Sequence, residues 1–151
     1  MAAILALIVL MLPHSVIPGP SAQAQTQRFA AGWVDMPAGY KFEHVDGPDF
    51  DVDYLFPKDS ELNEDPTTLG LYTGTAPSFE PPFKGVRIRA GNFGNKKVKW
   101  HIWKTVDENK IVYHQQTLIK IKGGFWHLFL TAPDMQRIQE LLSILGSYRT
   151  K

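Results

Sequence analysis

The chain has 151 residues, 44% of them hydrophobic and 21% charged, enough apolar material for one domain with a core of its own. It has no cysteine, which excludes a thiol nucleophile, a thiolate metal site, a disulfide framework and a lipid anchor on cysteine. The net charge of +1 hides an asymmetry: Gln25–Gly85 holds four basic and eleven acidic residues, and Val86–Lys151 holds twelve basic and four acidic. The two halves either neutralise one another within the fold or present opposite charge to partners.

At the start, AILALIVLML (residues 3–12) is an apolar run closed by Pro13, too short to span a bilayer. Pro18-Gly19-Pro20 and the small-x-small triplet Ala22-Gln23-Ala24 follow. This is the pattern of a secretory signal over residues 1–24, with the cut expected before Gln25, although no Lys or Arg precedes the apolar run. The expected location is therefore periplasmic or secreted. A mature chain of about 127 residues folds without disulfides, and no Asn-x-Ser/Thr acceptor occurs. Residues 25–32 (QTQRFAAG) read as a flexible lead-in to a single domain over 33–151.

Tyr40–Val45 and Phe50–Phe56 alternate as strands around the turn Asp46-Gly47-Pro48-Asp49. In the second, Phe50, Val52, Tyr54 and Phe56 share the apolar face, and Asp51 and Asp53 take the outer one. Residues 57–68 form an acidic loop, Leu69–Thr73 a short strand, and Thr75–Gly85, with three prolines and two phenylalanines, an irregular but partly buried segment.

Val86–Ala90 and Lys96–Val106 then form a hairpin around Asn92-Phe93-Gly94. Ile111–Ile121 and Phe125–Thr131 follow, joined by Gly123-Gly124. Thr131-Ala132-Pro133-Asp134 resembles a capping box. Met135, Ile138, Leu141, Leu142 and Leu145 mark the buried face of a helix that Gly146 ends. The fold class is α+β: an antiparallel sheet of about five or six strands with one C-terminal α-helix packed on its inner face. A single helix covers two or three strands, so the aromatic loop 75–85 is expected over the rest.

The turns predict a register. A three-residue loop pairs Arg89 with Lys97 and Arg87 with Lys99. A Glu108-Asn109 turn pairs Trp103 with His114 and His101 with Gln116. The Gly123-Gly124 turn pairs Lys120 with His127 and Leu118 with Phe129. Val86, Ile88, Val98, Trp100, Ile102, Ile119, Ile121, Trp126, Leu128 and Leu130 then face inward. The outer face collects Arg87, Arg89, Lys97, Lys99, Lys120 and Lys122 with His101, His114, His127, Trp103, Phe125 and Phe129.

Opposed like charges in a ladder call for compensation. Asp51, Asp53 and the acidic 57–65 loop are one source of it and an anionic ligand is another; the remaining reading is a plainly solvated face. The histidines fall in different rows among cations, and no metal-ligand spacing occurs, so no metal and no cofactor is expected. No G-x-S-x-G elbow or P-loop occurs either. Export and a pI near 8.0 argue against nucleic acid. The expected partner is an anionic envelope polymer or lipid headgroup, or an acidic protein, bound by a small non-enzymatic accessory protein. The alternative is a small hydrolase with an acid/base site near His44 and Asp49–Asp53.

Overall fold

The computed structural model describes residues 24–150 except 63, 108 and 109. Most of the segment read as a secretory signal therefore lies outside the described residues. Nine strands precede one helix: β1 (Gln25–Phe29), β2 (Gly32–Met36), β3 (Tyr40–Asp46), β4 (Phe50–Pro57), β5 (Thr68–Gly74), β6 (Arg87–Phe93), β7 (Lys96–Asp107), β8 (Lys110–Ile121), β9 (Gly124–Ala132) and α1 (Met135–Gly146). β3 to β9 form one antiparallel sheet in the order β3-β4-β5-β9-β8-β7-β6, and β1 and β2 form a separate hairpin. The class is the expected α+β, with more strands.

The first correction is at the N-terminal end. Gln25–Phe29, expected as a lead-in, pairs with β2 from Gln25↔Met36 to Phe29↔Gly32. Phe29 and Val34 are fully buried, so the hairpin contributes core rather than slack. It is zipped to the far end of the chain. Trp33 and Arg149 exchange backbone hydrogen bonds of 2.9 and 3.0 Å, the Asp35 N–H donates to Ser147 Oγ at 2.7 Å, and Arg149 pairs with Asp35 at 2.8 Å.

The inner face of the sheet thus has two covers, the hairpin and α1. Phe29, Val34 and Met36 join Leu55, Leu69, Leu71, Leu128 and Leu130 and the helix residues Ile138, Leu141, Ile144 and Leu145 in one cluster. Leu142 is only partly buried, and Met135 is exposed. Asp134, not Thr131, caps the helix, accepting the Arg137 N–H at 2.8 Å; Thr131 belongs to β9 and donates to the Pro66 carbonyl. Loop 75–85 lies on the opposite face from the one expected: Phe79 packs edge-on against His101 and His127 at 5.1 and 5.4 Å, and Phe83 is exposed.

Three hairpins test the register. β7–β8 agrees, with His101↔Gln116 and Trp103↔His114. β8–β9 is shifted by two residues, pairing Lys120 with Phe125 and Leu118 with His127. Gly123, at φ 86°, takes the left-handed turn position with Lys122. Gly124 stays in the strand, where a Cβ would run into the Gly74 carbonyl. A shift of two leaves every side chain on its expected face.

β6–β7 is shifted by three, with Phe93↔Lys96, Arg89↔Trp100 and Arg87↔Ile102. Phe93 is not a loop residue: it is buried, stacked on Tyr148 at 4.2 Å and edge-on to Trp126. Gly94 at φ 54° and Asn95 make the turn instead. An odd shift inverts a strand, so Arg87 and Arg89 lie on the helix side with Trp100 and Ile102. Ile88, expected inside, is 64% exposed.

β4 is inverted as well. Leu55 is the fully buried inner residue, so Asp51 and Asp53 share its face rather than the outer one. Val52 and Phe56 are buried on the outer side. Alternation misleads here because both faces of the sheet are covered.

Candidate functional site

The outer face carries an aromatic layer. Phe50 stacks on Tyr72 at 5.8 Å, Tyr54 meets Phe129 edge-on at 5.9 Å, and Phe129 lies 5.5 Å from His127. The Phe129 ring occupies the space where a Cβ on Gly70 would stand. These rings contact one another, so Phe129 is not a free contact surface. His127 is 5% exposed, donates from Nε2 to Gln116 Oε1 at 2.9 Å, and is pushed down by burial to about 4. It is a neutral, buried histidine and not part of a cationic face. His114 is also lowered by burial; it stacks parallel to Trp103 at 5.0 Å and meets Thr105 Oγ1 at 2.9 Å.

The cations separate into two groups. Lys97, Lys99 and Lys120 are exposed on the outer face, with His101 half-buried beneath Phe79 and Lys122 in the β8–β9 turn. Arg87 and Arg89 leave that group for the helix side. There they line, with Lys104, a groove of about 530 Å³ floored by Ile102, Tyr113 and Met135. The groove sits where β6, the last strand of the sheet, passes the start of α1.

Neither expected source of neutralisation reaches these cations. Four strands separate β4, which carries Asp51 and Asp53, from β6. The acidic loop lies against the opposite edge, where Glu61 pairs with Lys41 at 3.4 Å and the Lys58 N–H donates to the Gly39 carbonyl. Among the described residues no carboxylate is paired with Arg87, Arg89, Lys97, Lys99, Lys104 or Lys120; the ion pairs are those of Lys41, His44, Arg137 and Arg149.

A second cleft, of about 720 Å³, lies under the β1–β2 turn and is lined by Arg28, Phe42, His44, Asp51, Asp53 and Trp126 among others. His44 Nδ1 meets Asp53 Oδ1 at 2.6 Å, and its Nε2 meets Asp46 Oδ1 at 2.8 Å. Those bonds, Asp53 first and Asp46 second, raise the histidine above its ordinary range. Asp53 Oδ2 also accepts the N–H of Ala30 at 2.6 Å, and Ala30 holds the turn at φ 51°. The buried carboxylate therefore fastens the hairpin to the sheet. His44, Asp46 and Asp51 also bring ligand atoms within 4.8 Å of one another, a grouping set by the cross-strand pair Asp46↔Asp51. A cation there would have to displace the His44–Asp46 bond. No expectation from the sequence includes this grouping; the signal that could have found it is His44 and Asp46 at i, i+2 on one strand face beside a tight turn.

No helix among the described residues is long and apolar enough to cross a membrane. Compared with protein-family models, curated proteins and solved structures, the chain matches none of them.

Proposed function

We propose that the protein is an exported, non-enzymatic binding or accessory protein that holds an anionic ligand or partner at the β6 end of its sheet. One observation carries this reading: Arg87, Arg89 and Lys104 line an apolar-floored groove, and no acidic side chain among the described residues is paired with them. Unpaired cations over an apolar floor favour an anionic, partly apolar ligand. The exposed Lys97 and Lys99 on the other side of the edge extend the positive potential. The secretory pattern of residues 1–24 makes envelope polymers, lipid headgroups and acidic proteins the relevant classes. The hydrolase alternative gains nothing from His44: both of its ring nitrogens are already engaged by carboxylates, at 2.6 and 2.8 Å, which leaves neither one facing a substrate proton.

The test compares Arg87→Glu/Arg89→Glu with Lys97→Glu/Lys99→Glu in heparin and anionic-liposome binding across a salt series. Binding should fall steeply with salt, be abolished by the arginine pair and be weakened by the lysine pair. Both variants should stay within about 1 kcal/mol of the parent in denaturant unfolding, because exposed charges without partners contribute little. Binding that survives both double substitutions refutes the reading.

A further inference from the structure

Resting on the binding role just proposed, we infer that the partner is an acidic, extended peptide segment that adds to β6 as a further strand of the sheet. β6 ends the strand order, and among the described residues its backbone pairs with β7 alone. Arg87, Ile88, Arg89 and Ala90 are exposed in succession. A strand edge of this kind offers a row of unpaired N–H and C=O groups, the requirement for strand addition. A sugar polymer or a headgroup makes no use of such a row.

The side chains define what the added strand should carry. Arg87 and Arg89 point to the helix side beside Lys104, while Ile88 and Ala90 point to the outer side. A neighbouring strand runs about 4.8 Å away, with its side chains alternating in step. Its residues facing the arginines should be Asp or Glu, and those facing Ile88 should be apolar, giving an acid–apolar–acid repeat. Opposite charges and apolar pairs across such a ladder each favour the pairing. The other edge of the sheet does not fit the same partner: β3 carries Glu43 and Asp46 and lies beside the acidic loop. Strand addition is therefore directed to one end.

The probe is a peptide of alternating Glu and Val, about eight residues long, titrated against the whole chain beside the same peptide N-methylated along its backbone and beside polyphosphate. N-methylation keeps charge and extension but removes the donors. It should weaken binding about tenfold or more, the loss expected for two backbone hydrogen bonds. Hydrogen exchange should slow at Arg87–Ala90 only with the unmodified peptide. Equal binding of the methylated peptide, or polyphosphate binding without protection of β6, overturns strand addition and leaves the anion-binding role standing. Failure of every anionic probe overturns both, leaving the arginines as guards of an open edge. Salt-sensitive dimerisation that the peptide disperses places a second copy on the edge, and that also overturns the inference.

Discussion

His127 should make the fold acid-sensitive by an amount that can be worked out beforehand. Burial holds it near pKa 4 in the folded state, against 6.5 for an ordinary histidine. Its contacts are Gln116, Phe79 and Phe129, with Leu118 and Tyr72 opposite it on the flanking strands, and none is acidic. As pH falls below about 6.5 the unfolded chain gains a proton that the folded chain refuses, so stability falls with it. The loss runs from about pH 6.5 to about pH 4 and levels off below. At 1.36 kcal/mol per unit it amounts to on the order of 3 kcal/mol. The assay is urea unfolding of the parent and of His127→Gln at half-unit steps from pH 7.5 to pH 4. Carboxylates and His44 titrate in both proteins and cancel in the difference. The gap between the two curves should narrow or reverse by about 3 kcal/mol on acidification, whatever its value at pH 7.5. Parallel curves, or an NMR titration of His127 centred near 6.5, would refute the buried-neutral assignment.

Two further outcomes follow from particular contacts. Leu141→Ala, at a fully buried position, should cost about 2–5 kcal/mol, and Leu142→Ala, half outside the core, about half as much; equal losses in chemical denaturation would mean the helix is rotated. Asp53→Asn leaves one oxygen to serve both the Ala30 N–H and His44 Nδ1. It should cost about 1–3 kcal/mol and move the His44 titration down, because the bond to Asp53 is the largest cause of its elevation. His44 contributes stability below the ordinary histidine pKa and loses it as pH rises through the elevated value, so the parent should shed this increment on the alkaline side and the variant, which keeps only the Asp46 bond, should shed less of it. An unchanged His44 titration contradicts the pairing.

Alternation and turn residues located β3 to β9 within a residue at each end, except that β6 runs three residues past its expected end, because a run such as VKWHIWKTV has few other ways to bury its apolar half. β1 and β2 escaped because their turn is Ala30-Ala31, and an alanine in the left-handed region gives no signal of the kind glycine or asparagine gives. What holds Ala30 there is Asp53, 23 residues away, and no local pattern reports such a contact. The β6 error has the same origin. Asn92-Phe93-Gly94 reads as a loop until Tyr148, 55 residues on, offers Phe93 a ring to stack on.

Parity of the shift, more than its size, decides which candidate residues keep their expected face. In β9 a shift of two moved His127 along the sheet but kept its face, and the error in its role came from burial under Phe79. In β6 a shift of three carried Arg87 and Arg89 to the other side of the sheet. There they add to Lys104 rather than to Lys97 and Lys99, so a flat cationic comb becomes a groove. The charge asymmetry between the chain halves survives both errors. The acidic half supplies β3, β4 and β5, the basic half supplies β9, β8, β7 and β6, and the strand order sets them at opposite ends of one sheet. Charges so separated cannot cancel over distances beyond the screening length of about 10 Å. The field at β6 is therefore a property of the topology, and a single charge change at Asp51 or Asp53 should leave binding at that edge untouched.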